Sequence, residues 1–160
     1  MDDMIKEYSD GYIELKFGPR WKYIAAARGF IQNFIAISIE DKGKADKIAM
    51  AASELLENAV KYASGEETQL FVYVFPETGG IKIAVINQAT PKAAETLTEI
   101  YKKISQKPPM EAYIEQMKEA ATREDGKSQL GLARIRYEAA AEIDLSVSDN
   151  SEIQITLSVN

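Results

Sequence analysis

Ser53–Ala63 reads SELLENAVKYA. Its apolar residues, Leu55, Leu56, Ala59, Val60 and Ala63, recur at three- and four-residue spacing, and Ile48 and Ala52 continue the stripe backwards. This pattern predicts an amphipathic helix over about 44–63. Glu54, Asn58 and Lys61 are spaced i, i+4, i+7 and share a second face. That face is either the solvated side of the helix or one wall of a site. As a wall it has usable chemistry. The Asn58 amide oxygen suits a hard cation such as Mg2+. Glu54, one turn earlier, has the reach to accept a proton. Lys61, one turn later, offers a point charge to a phosphate, and Tyr62 a ring to pack on a base or sugar.

Upstream, YIELKFG alternates apolar and polar side chains, which predicts a strand over 12–17. Pro19 then stands where a helix can begin, and Ile24, Ala27, Ile31, Phe34 and Ile35 place that helix at about 20–38. Downstream, Gly65 is placed to end the central helix. TQLFVYVFP and IKIAVIN flank a Gly-Gly turn and predict a hairpin of strands over 68–75 and 81–87. The stretch 88–128 holds three of the five prolines and many charges. It is expected to form two short helices, near 92–105 and 109–122, as a lid-like insert of low apolar content. A helix over 129–140 and a final hairpin of strands 143–148 and 152–158 complete the order. Blocks of helices alternating with antiparallel strands predict one α+β domain spanning 1–160. It is expected to be a two-layer sandwich with a mixed, mainly antiparallel sheet and helices on one face.

Composition removes much of the chemical menu. The chain has no cysteine and no histidine. Disulfides, Cys or His zinc sites, thiol nucleophiles and Ser-His-Asp triads are therefore excluded. The net charge of −6 argues against nucleic acid or an anionic membrane as the main partner. The acidic opening MDDMIKEYSDG lacks a following apolar run, and Tyr23–Ile39 is broken by Arg28, Gln32 and Asn33. Neither a secretory leader nor a membrane span is expected, and the expected location is the cytoplasm.

SELLENAVKYA also resembles the first nucleotide-binding box of the GHKL ATPases, in which a Glu, an Asn four residues on and a basic residue share a helix. The preceding YIELKFGPRWKYIAAARGFIQNF is similar to the opening strand and helix of bacterial anti-sigma factor serine/threonine kinases. SQLGLARI resembles the family's Gly-Leu-Gly-Leu lid segment. The resemblance implies ATP and Mg2+ as cofactors, Glu54 as general base, Asn58 as metal ligand, and Lys61 and Tyr62 at the nucleotide. It implies Lys127, Leu130, Gly131 and Leu132 at the phosphates, and Asn87 and Ala89 at the adenine. Asn87 stands where the family has an Asp, Ala89 where it has a Gly, and Gln129 where the lid has another Gly. The neutral Asn87 would weaken an adenine contact by about 1–2 kcal/mol. Two functions follow from the resemblance. One is a kinase that phosphorylates a protein partner; the other is a non-catalytic module of the same fold that sequesters a sigma factor or its antagonist. A homodimer is expected with either.

Overall fold

The computed structural model describes residues 11–75, 77–122 and 130–160. Five strands, β1 (Gly11–Phe17), β2 (Ala63–Phe75), β3 (Gly80–Ala89), β4 (Glu142–Val147) and β5 (Glu152–Val159), form one sheet in the order β1-β2-β3-β5-β4. Every pairing is antiparallel, where the sequence reading allowed for a mixed sheet. The helices are α1 (Trp21–Ile39), α2 (Lys42–Tyr62), α3 (Pro91–Ser105), α4 (Pro109–Thr122) and α5 (Gly131–Glu138). The period of two puts Leu70 and Val72 of β2, Ile81, Ile83 and Val85 of β3, and Ile153, Ile155 and Leu157 of β5 on one face. There they join Ile31 and Ile35 of α1 and Ile48, Leu55 and Leu56 of α2 in a single buried cluster. The architecture is the expected two-layer α+β sandwich.

Local chemistry explains the element ends. The Asp41 carboxylate caps α2 by accepting from the Lys44 N–H at 3.0 Å. Thr90 caps α3 by accepting from the Ala93 N–H at 3.1 Å, with Pro91 in the first helical turn. Replacing Thr90 with Ala should therefore lower stability by about 1 kcal/mol, read as a shift of the urea midpoint at unchanged slope. Gly79 takes φ 70° in the β2–β3 turn, and the Lys44 ammonium donates to its carbonyl.

The largest departure from the expected boundaries lies where the central helix ends. The helix ends at Tyr62, and the chain enters β2 at Ala63 with no loop, so Gly65 lies inside a strand rather than at a helix stop. Ala63 pairs with Ala89 and regular pairing resumes at Thr68–Asn87, with the register shifting between them. The intervening SGEE lacks β-branched and aromatic residues, so no strand pattern announces it.

The two helices of the insert start and stop within one residue of expectation, and they bring more apolar surface inward than their charge content suggests. Leu97, Ile100 and Ile104 of α3 and Ala112 of α4 belong to the buried cluster. The Tyr101 hydroxyl donates to the Ile143 carbonyl at 3.2 Å, tying α3 to β4. Ion pairs Lys103–Glu119 and Lys107–Glu115 link α3 and its exit to α4. The Arg136 guanidinium of α5 donates to the carbonyls of Ile104 and Lys107 where α3 ends.

Candidate functional site

The polar stripe of α2 lies against α5. α2 lines one side of a cleft of about 290 Å3 with Glu54, Glu57 and Lys61; Leu130, Gly131, Arg134 and Glu138 line the other, and Tyr113 of α4 closes it. The Glu54 carboxylate accepts from the Arg134 guanidinium at 3.0 Å, and Arg134 also donates to Glu138 at 2.9 Å. The Glu54 side chain is only 15% exposed. Burial, and then the neighbouring Glu57 charge, push its carboxyl above the ordinary value of 4.5. Arg134 and Lys61 pull in the other direction without cancelling that rise.

Gly131 begins α5 directly against this carboxylate. A Cβ placed on it would meet the Glu54 Oε2 at 2.9 Å and the Asn58 side chain at 3.8 Å. The glycine thus permits helix-to-helix contact at the point where the two polar elements meet. Leu130 lines the cleft mouth, while Leu132 turns inward and is buried in the core.

Asn58 is buried, and its Nδ2 has no hydrogen-bond partner. The hydroxyl of Thr68 is likewise buried and unpaired. Thr68 stands opposite Asn87 across β2 and β3, on the helix-covered face. The Asn87 amide donates to the Gln88 carbonyl at 3.4 Å. Ala89 is an ordinary strand residue, outside the left-handed region, with its N–H donating to the Ser151 carbonyl at 3.1 Å. Tyr62 is half-buried and packs on the core. Lys127 and Gln129 lie outside the described residues. The expected residues thus divide into two groups. Glu54, Lys61, Leu130 and Gly131 share the cleft, whereas Asn58 and Asn87 sit below the surface.

Arg134, Glu57, Glu138 and Tyr113 line the same cleft and were not singled out from the sequence. Arg134 is three residues from Gly131 and four from Glu138, a spacing that placed it on a helix face. Nothing in the chain marked it as the partner of Glu54, eighty positions away. The cleft holds three carboxylates and two cations, so its lining is net acidic. Among the described residues no group of three or more Asp or Glu is placed to hold a metal ion, and Glu54 is already committed to a guanidinium.

No family model and no curated protein matches the chain. Among solved structures, it matches a chain in the crystal structure of the SiaB–SiaC complex from Pseudomonas aeruginosa, with a TM-score of 0.65 over 99% of this chain and 98% of that one. The two chains share a fold. At 15% identity the likeness extends no further than that.

The assignment to the GHKL ATPases, and within them to anti-sigma factor kinases, is therefore corrected. The structural likeness leads to the SiaB–SiaC complex, and no family model supports the assignment. The physical reason lies in the motifs themselves. Glu-x3-Asn-x2-Lys is a spacing that an amphipathic helix produces readily. Here Glu54 is held in an ion pair to Arg134 and Lys61 lines the cleft, while Asn58 is a buried amide. The lid-like glycine is accounted for by close packing on Glu54. Among the described residues no helix is long and apolar enough to cross a membrane.

Proposed function

We propose that this chain is a regulatory module that acts by binding a protein partner, with the α2–α5 cleft as part of the contact surface. The observation that carries this reading is the end-to-end fold likeness to a chain whose structure is that of a two-protein complex. The cleft supports it. Its acidic lining and the stacked Tyr113 and Tyr137 beside it, with ring centroids 5.4 Å apart, suit a partner segment that offers basic and aromatic or aliphatic side chains. A sigma factor or an antagonist of one is a specific form of this partner.

The test is affinity capture from the source cells on immobilised wild-type protein and on Glu57→Lys, followed by calorimetric titration of the purified partner. The expected result is one stoichiometric partner, with affinity at least about tenfold lower for Glu57→Lys. A partner held equally by both proteins would move the contact away from the cleft, and no stoichiometric partner would overturn the reading. Parallel titrations with Mg-ATP, Mg-ADP and Mg-GTP are expected to give no saturable heat. Binding of any of them that is lost in Asn58→Ala would return Asn58 to a ligand role.

A further inference from the structure

Helix α1 has two apolar stripes, and the domain uses one. Ile24, Ile31 and Ile35 are buried in the core. Tyr23, Phe30 and Ile37 recur every seven residues on another face, with Ala26 and Asn33 between them, which is the three-four spacing of a helix-pairing seam. Those three side chains are 45%, 51% and 79% exposed. At 100° per residue this seam is turned from the buried one by about a third of a revolution, so the core cannot cover it. An aligned row of large apolar groups in water marks an interaction surface.

The charges at the helix ends say what covers it. α1 has no acidic residue in its first turn and no basic residue in its last. Its N-terminal end carries Lys22, and its C-terminal end closes on the exposed Glu40, held at φ 52°. This is the reverse of what the helix macrodipole favours, so within one chain each charge is slightly unfavourable. Against a second, antiparallel α1 the same arrangement becomes complementary. With Phe30 on the two-fold axis, Tyr23 of each copy meets Ile37 of the other. Lys22 then comes to the end that carries Glu40, and Asn33 comes beside Ala26 of the other copy, within about one residue of level. A parallel pair would instead set Lys22 against Lys22.

We propose that this stripe is a self-association surface on which a second copy of the chain docks through an isologous, antiparallel α1–α1 contact. The proposal is independent of the partner-binding reading, whose cleft belongs to α2 and α5.

Sedimentation velocity of the full chain, from micromolar to millimolar concentration, tests it. Wild type is expected to shift from monomer to dimer across that range. Phe30→Glu and Ile37→Ser, each checked for an unchanged far-UV spectrum and melting point, should weaken the dimer by about tenfold or more. Lys22→Glu alone should weaken it, and the exchange Lys22→Glu with Glu40→Lys should restore it to within about twofold, because the swap preserves an antiparallel pairing of opposite charges. Three results would overturn the proposal: a monomer at every concentration, a dimer indifferent to both Phe30→Glu and Ile37→Ser, or a charge exchange no better than Lys22→Glu alone.

Discussion

Ile104→Ala is expected to destabilise the whole domain by about 2–5 kcal/mol, the range for deleting three carbons from a well-packed interior site. Ile104 is 1% exposed and lies in the same buried cluster as the sheet, although it stands in a segment read from sequence as a lid. If α3 is part of that core, the loss reaches every element. Thermal and urea transitions followed by far-UV circular dichroism and by fluorescence of the single tryptophan, Trp21 at the start of α1, should move together. Amide exchange in α3 should then be about as slow as in β3 in the wild type. A variant that melts at the wild-type midpoint, or an α3 that exchanges long before the sheet opens, would assign the insert to a separate, loosely held unit.

Arg134→Met is expected to cost about 1–2 kcal/mol at pH 7. This lies between the near-zero value of a solvated ion pair and the larger cost of stranding a fully buried charge, since the Arg134 side chain is 41% exposed and Glu54 15%. The pH dependence is the more telling readout. Because the Glu54 carboxyl titrates above 4.5 in the folded protein, the folded state holds its proton more tightly than the unfolded chain does. Stability therefore falls as pH rises from 4.5 through the folded-state value. Removing Arg134 removes an influence that lowers that value, so the fall extends to higher pH. The deficit of the variant should be greatest near neutrality and shrink as pH drops towards 4. The double variant Glu54→Gln with Arg134→Met should recover most of the neutral-pH loss. A deficit constant from pH 4 to pH 8 would show that the guanidinium contributes packing and not charge.

The fold was legible because its elements are strongly patterned. Ile81, Ile83 and Val85 fall in a run rich in β-branched residues beside a Gly-Gly turn, Leu55 and Leu56 sit on a clean helical stripe, and Asp149-Asn150 marks the last turn. Segments held by something other than period were not legible. The irregular start of β2 pairs with Ala89 through backbone groups, which leave no trace in side-chain choice. The core role of α3 rests on four buried positions, Ala94, Leu97, Ile100 and Ile104, diluted by nearby lysines and glutamates. The site was half legible. A stripe on one helix can be read from spacing, which gave Glu54 and Lys61, but the group that neutralises Glu54 comes from another helix and is set by tertiary packing. The family resemblance read Glu54 as a free base, whereas its carboxylate is paired with a guanidinium from another helix.

The direct passage from α2 into β2 at Ala63 makes those two elements one continuous stiff arm, with the cleft residues near its bend. A connector would let the helix slide or rotate while the sheet stayed still. Without one, pressure applied at Glu57 or Lys61 has to be taken up either by the whole strand or by the irregular stretch 64–67, where the register is already broken. That stretch is the slack in an otherwise rigid linkage. Occupying the cleft should therefore be felt first as altered amide exchange at residues 64–67 and at Ala89 across from them, ahead of any change in the interior strands.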